Sequence, residues 1–535
     1  MLANRKITIS SYVKVVLAIF WIFAIILPLY KMLSNMSDVD VAKIISSERF
    51  TTALKQSLTV ATVSTLVTVG IAGLLSWCVS RTAIRFKGVF SVLFSIPMLI
   101  PSISHGMGLV ILLGSNGIIN RTFGLNINIY GFTGILLGSV MYSLPVAYLM
   151  LLDILKFEDS TPYEAADVLG MSKLDKFVTI TLPYLRKPLI SVFFATFTMI
   201  ITDYGVPLMV GGKYSTLPVM MYQDVIGMLD FGKGSVIGLI LLVPALIACL
   251  LDILNRDKGN SSFVTKAFKI KKNIVRDIFA YITCGLVAFL LIMPIAMFTR
   301  VAFMKKYPID MTFTFDNIER AMNMNVSDYL SNSVIISLLV AIIGVVLAIL
   351  SAYYTARMKS KFSRVLHMLS ITSLAIPGLV LGLSYVMFFK KSFIYGTFAI
   401  LILVNTMHFF SSPYLMMYNT FSKLNGNLEY VGKTLGIRRL FILKDVLLPM
   451  SKETIIEMFS YFFVNSMMTI SAVSFLATMD NKPVSLMITQ FEGQMQLECA
   501  ALVSVIILFV NLVIKGIVFF AKRIWLDDSR KEYYE

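Results

Sequence analysis

The stretch Glu164-Ala165-Ala166-Asp167-Val168-Leu169-Gly170, followed after nine residues by Ile180-Thr181-Leu182-Pro183, has a second copy in the same chain. The copy reads Tyr430-Val431-Gly432-Lys433-Thr434-Leu435-Gly436 and, nine residues on, Val446-Leu447-Leu448-Pro449. Gly170 and Gly436 are 266 residues apart, and so are Pro183 and Pro449. Each copy is a polar, basic stretch between long apolar runs. A repeat at that distance marks an internal duplication, and it constrains both fold and function.

Composition places the apolar runs. The chain of 535 residues is 57% hydrophobic and 14% charged, against about 25% charged in an ordinary soluble domain. Apolar runs of roughly 18–20 residues read as membrane-spanning helices. Twelve are expected, near 13–31, 57–79, 89–113, 129–152, 189–209, 235–254, 278–300, 331–355, 365–389, 395–418, 454–478 and 499–521. The first follows Arg5 and Lys6 as a secretory signal would. It is long for one and lacks a small-x-small cleavage site, so it reads as a retained helix.

The net charge of +17 does not point to nucleic acid, because the basic residues sort to one side of the membrane. They follow span 2 (Arg81, Arg85, Lys87), span 4 (Lys173, Lys176, Arg186, Lys187) and span 8 (Arg357, Lys359, Lys361, Arg364). They also follow span 10 (Arg438, Arg439, Lys444, Lys452) and span 12 (Lys522, Arg523, Arg530, Lys531). Arg256, Lys258, Lys266, Lys269, Lys271, Lys272 and Arg276 fill the connector between spans 6 and 7. With both termini cytoplasmic, all of these fall inside. The opposite loops hold Asp310, Asp316, Glu319, Asp480, Glu492 and Glu498; Lys390 and Lys391 break the rule.

The duplication extends beyond the loop. Pro101 and Gly106 pair with Pro377 and Gly382 at an offset of 276, and Tyr130-Gly131 pairs with Tyr395-Gly396. Residues 1–254 and 278–535 therefore read as two six-span units joined by a basic linker, 255–277. Six is even, so the units lie parallel and both repeated loops face the same side. The fold expected is all-α and polytopic. Because lipid offers no hydrogen bonds, a polar solute would cross at the seam between the units.

Each loop reads as an elbow. Small residues at Ala165 and Ala166 allow close approach. Gly170 ends the first helix at φ > 0, a second short helix covers 172–180, and Pro183 stops it.

The pattern Glu164-Ala165-Ala166-x3-Gly170-x9-Ile180-x-Leu182-Pro183 resembles the EAA loop of the permease subunits of ABC importers. In the second copy Tyr430, Val431, Gly432 and Val446 replace the expected Glu, Ala, Ala and Ile, while Gly436, Leu448 and Pro449 are kept and Glu429 lies one position early. The resemblance implies a fused double permease in a prokaryotic plasma membrane. Its two elbows would dock in two cytoplasmic ATPase subunits, and an extracytoplasmic binding protein would deliver a small polar solute. Gly211-Gly212-Lys213 lacks the spacing and the hydroxyl residue of a P-loop, so ATP would be hydrolysed by the partner subunits. No cofactor and no catalytic constellation is expected in this chain.

Two further stretches bear on substrate. Asp203-Tyr204-Gly205-Val206-Pro207 resembles a segment of fused ferric-iron and phosphonate permeases. Phe463 to Leu476, with Asn465, Thr469 and Ser471, is similar to permeases assigned to 2-aminoethylphosphonate. The leaning is to a phosphonate, then ferric iron, then polyamine, thiamine or another small solute. Asp203 corresponds to Thr469 at the 266 offset, which would set a carboxylate opposite hydroxyls. Asp203, Tyr204, Asn465, Thr469 and Ser471 are candidate pathway residues; the other reading is that the polar groups join helices. Cys78, Cys249, Cys284 and Cys499 carry no paired spacing, and no metal site is expected. A gradient-driven carrier with two parallel repeats is the alternative.

Overall fold

The computed structural model describes residues 9–255, 266, 268, 270, 272–358 and 360–532. Of the basic residues expected inside, Arg256, Lys258, Lys269, Lys271 and Lys359 lie outside the described set. The chain is helical almost throughout; its only described strands, Met304–Lys306 and Asp310–Phe313, form one small hairpin.

Among the described residues eight helices are long and apolar enough to cross a membrane, and ten if each of two bent pairs is one span. The difference from twelve lies in expected spans 9 and 10, which bend, and in spans 6 and 11, which are too short; spans 3 and 5 also break, yet each keeps a helix long enough to cross. Expected span 3 breaks at Pro97 and Pro101, between the helix Lys87–Ser95 and the helix Ser102–Leu113. Expected span 9 breaks at Pro377, with a bend of 109° between its two pieces, and expected span 10 bends by 54° near Phe409. Proline lacks the N–H a continuous ladder needs, and the residue before it avoids helical ψ. Expected span 5 stops at Thr202 and restarts as Gly205–Val210. Expected span 11 stops at Met468 rather than near 478. The apolar described part of expected span 6, Phe231–Ile247, falls short of a full crossing.

The two repeats exchange their first helices. Trp21, fully buried, meets Phe410 edge-on at 4.9 Å, and the Tyr385 hydroxyl donates to the Ala24 carbonyl at 2.6 Å. In return the helix Ile274–Ala302 lies on the first repeat. The Arg85 N–H donates to the Tyr281 hydroxyl at 2.6 Å, and Gly108 has no room for a Cβ because Pro294 would stand 2.8 Å from it. Such small-residue crossings are how helices associate where burial from lipid supplies no hydrophobic gain. Lys390, an exception in the charge pattern, sits 5.8 Å from the centre of the Phe231 ring of the other repeat.

Candidate functional site

The first elbow opens with the helix Thr161–Val168, where Pro162 occupies the first turn and needs no N–H partner. It closes at Gly170 with φ +69°. The Gly170 N–H donates to the Asp167 carbonyl at 3.1 Å and the Met171 N–H to the Ala166 carbonyl at 3.0 Å. This pair of bonds is a Schellman ending, which requires the left-handed residue. Ser172 and Asp175 then form a reciprocal capping box for the next turn, Lys173–Lys176.

The second elbow repeats this geometry. The helix Leu428–Thr434 ends at Gly436, again at φ +69°, with the Gly436 N–H on the Lys433 carbonyl at 3.2 Å and the Ile437 N–H on the Gly432 carbonyl at 2.8 Å. Sequence divergence between the two elbows leaves the Schellman ending unchanged, though Arg438 in place of Ser172 makes no cap bond. Gly432, at the place of buried Ala166, is closely packed: a Cβ there would stand 2.2 Å from Cδ1 of Ile442, whose side chain would have to shift.

The expected stop at Pro183 is not what forms. Residues Phe177–Thr181 make a π turn holding Ile180, and the Leu182 N–H reaches back to the Phe177 carbonyl, so the helix runs on through Pro183 to Thr202. Leu443–Leu447, holding Val446, does the same before Leu448 and Pro449, although there the helix is interrupted at Ser451. The wider turn moves the carbonyl that a proline ring would otherwise strike. Each elbow is thereby joined to its membrane helix.

Both elbows are braced from inside. Arg81 pairs with buried Glu158, and the Tyr163 hydroxyl donates to Glu158 Oε1 at 2.6 Å. Burial and the neighbouring carboxylate push the Tyr163 phenol up to about 12, so it remains a donor. Asp159 is held below the usual carboxylate range by hydrogen bonds from Thr161. In the second elbow Arg357, at Arg81's place by the 276 offset, binds both oxygens of Glu429 at 2.5 Å and the carbonyls of Phe421, Leu424 and Asn425. Glu429 is thus turned inward. Glu164 is half-exposed and meets Lys266 at 2.6 Å. Beside exposed charges such as Asp167, the elbows present apolar side chains outward: Val168, Leu169 and Leu174 on one, Tyr430, Leu435 and Phe441 on the other. Clustered exposed apolar side chains mark an interaction surface.

At the seam, Asp203 and Thr469 are the residues at which their helices end, with nearly the same backbone: φ −75°, ψ 133° and φ −67°, ψ 138°. The Asp203 carboxylate accepts from the Val206 N–H at 3.0 Å and the Gly205 N–H at 3.3 Å. It is engaged in capping the next short helix. The Tyr204 hydroxyl reaches the other repeat, meeting Ser474 Oγ at 2.7 Å, while its ring stacks on Tyr222 at 4.8 Å. Ser471 packs on Gly378, where a Cβ would stand 2.2 Å from the serine oxygen; Gly205 packs on Ser102 with the corresponding figure 2.4 Å. These two contacts are equivalent under the offsets, with glycine and serine exchanged. Asn465 stays on its own helix, donating to the Tyr461 carbonyl at 2.7 Å.

Sequence reasoning placed Arg81 and Arg357 only as cytoplasmic charges, and it missed Glu158, Ser102 and Gly378. The 276 offset that aligned Pro101 with Pro377 also aligns Arg81 with Arg357 and Ser102 with Gly378, so the signal was present. Glu457, near the start of the helix after the second elbow, pairs with Lys522.

The chain matches the family model for the binding-protein-dependent transport system inner membrane component twice, over residues 70–257 and 344–524. It is 24% identical over 510 residues to the ferric transport system permease protein FbpB of Actinobacillus pleuropneumoniae, covering 90% of this chain and 73% of that protein. It is 25% identical over 507 residues to the putative ferric transport system permease protein FbpB 1 of Haemophilus influenzae, covering 89% and 79%. The molybdenum transport system permease protein ModB of Azotobacter vinelandii is 28% identical over 186 residues, covering 34% of this chain and 82% of that protein. The gradient-driven alternative gives way to these matches. The chain belongs to the inner-membrane components of binding-protein-dependent transport systems: it is an ABC importer permease with two family repeats, a membrane protein and not an enzyme.

Proposed function

We propose that this permease forms the membrane pathway for ferric iron, with the seam at Asp203, Tyr204, Asn465, Thr469 and Ser471 as its lining. The observation that carries the substrate is the similarity over 510 and 507 residues to two proteins named as ferric permeases. This reverses the order given by the sequence, which set a phosphonate first. The chemistry of the seam supports the reversal. Its ionisable oxygen groups include Asp203, Tyr142 and Tyr461, and the His105 imidazole lies 6.0 Å from the Tyr142 ring. A carboxylate suits a hard cation and repels a phosphonate.

The two elbows, 162–183 and 428–449, each receive one cytoplasmic ATPase subunit. Glu164, Ala165, Ala166, Gly170, Ile180, Leu182 and Pro183 form one coupling surface; Glu429, Tyr430, Gly432, Gly436, Val446, Leu448 and Pro449 form the other. An extracytoplasmic binding protein delivers the solute to the opposite face. Closure of the ATPases moves the elbows, and the π turns transmit that motion to the helices after them. Both termini lie in the cytoplasm, and 1–254 and 278–535 act as the two rocking units, joined by the linker 255–277.

The test is uptake of radioactive ferric iron and of labelled 2-aminoethylphosphonate by liposomes holding the permease, its ATPase and its binding protein. ATP-dependent iron uptake with none of the phosphonate supports the reading. Phosphonate uptake without iron uptake overturns the substrate and leaves the permease class standing.

A further inference from the structure

We infer that Lys266 and Phe268, in the connector between the repeats, are positioning residues that brace the first coupling elbow; this rests on the coupling role proposed above. Lys266 and Phe268 lie against the elbow's root. The Lys266 N–H donates to Asp159 Oδ1 at 3.2 Å, its carbonyl accepts from the Ser160 N–H at 2.9 Å, and its ammonium meets Glu164 Oε2 at 2.6 Å. The Phe268 ring sits edge-on to Tyr163 at 5.1 Å, and the Arg81 guanidinium carbon lies 3.6 Å from the ring's centre. Arg81 in turn holds Glu158, to which Tyr163 donates. Phe268 therefore closes a box of four groups that ties the end of the helix Glu48–Arg81 to the elbow.

The second repeat explains why the first needs this. There Arg357 takes both oxygens of Glu429 and three backbone carbonyls, a brace made within one repeat. The first elbow has Tyr163 where the second has Glu429 at the 266 offset. Arg81 holds Glu158 through one oxygen where Arg357 holds Glu429 through two, and Phe268 adds an aromatic face to that single contact. A cation against an aromatic face is a directional contact that survives partial burial. It lets a push on the elbow reach the helix Glu48–Arg81 without slack.

The test uses the complete transporter in liposomes and reads solute moved per ATP hydrolysed. Phe268→Leu keeps the apolar volume and removes the π face, and it should lower that ratio about fivefold. Phe268→Trp should restore it, and Lys266→Ala should lower it in the same direction. Thermal unfolding of each variant separates lost coupling from lost packing, since a merely structural contact would move the midpoint and spare the ratio. A ratio unchanged in Phe268→Leu, in a complex that still carries its ATPase, overturns the brace and leaves the permease reading intact. A native complex that assembles with no ATPase overturns both.

Discussion

The Tyr204 hydroxyl donates to the carbonyl oxygen of Ile470 at 3.3 Å, and these two residues occupy the same position in the two repeats, 266 residues apart. A contact between equivalent positions lies on the axis that relates the repeats. The same hydroxyl meets Ser474, so the axis is closed here by a bond from one repeat to the other. Tyr204→Phe removes it at a cost of about 1 kcal/mol. The expected result is ATPase activity without binding protein raised about fivefold, since that energy corresponds to roughly this shift in a two-state balance. Unchanged resting activity would rule out a latch at this position.

The exchanged glycine and serine at the two helix crossings give a reciprocal prediction. Gly378→Ser alone sets two serines at one crossing and should destabilise by about 1–3 kcal/mol. Adding Ser471→Gly recreates the arrangement of Ser102 and Gly205 and should recover most of the loss. Unfolding midpoints of the single and double variants in detergent measure the coupling.

Gly170 and Gly436 have open space where a Cβ would go, yet both stand at φ +69°. Alanine at either is therefore limited by backbone strain, about 1 kcal/mol, rather than by collision. Each variant should express normally and lose solute transport several-fold, most in the double variant. Gly432 behaves otherwise: Gly432→Ala strikes Ile442, and Ile442→Val, which removes the offending methyl, should rescue it. Transport at the normal rate in both Gly170 and Gly436 variants would exclude a coupling role for the elbows.

Arg357 is buried and holds Glu429 from two directions. Removing one partner strands the other, which costs about 3–5 kcal/mol for a buried pair. Arg357→Ala should thus lower the unfolding midpoint more than Arg357→Ala with Glu429→Gln. Equal midpoints would mean that the pair is solvated in the working protein.

The Tyr163 phenol, raised to about 12, sets a pH limit. Its folded value lies above the ordinary one, near 10. Its contribution is complete below pH 10 and declines as pH rises toward 12. Transport per ATP should be insensitive to this group between pH 6 and 9. Unfolding above pH 10 should be less steep in Tyr163→Phe, followed by circular dichroism.

The sequence by itself determined the duplication, the membrane class and the elbows. These are local: a glycine that must be left-handed and a proline at fixed spacing recur in both copies, even where Tyr430, Gly432 and Arg438 have replaced Glu164, Ala166 and Ser172. Apolar runs also announced the spans, though not their breaks. Tertiary structure decided the rest. The exchange of first helices, the meeting of Tyr204 with Ile470, and the docking of Phe268 on Arg81 join residues hundreds of positions apart, or roots of different loops, and no local periodicity encodes such pairs. Pro183 shows the same limit at short range. Proline chemistry predicts a stop, but the helix gains more from continuing into a packed membrane segment, and a π turn makes room for the ring.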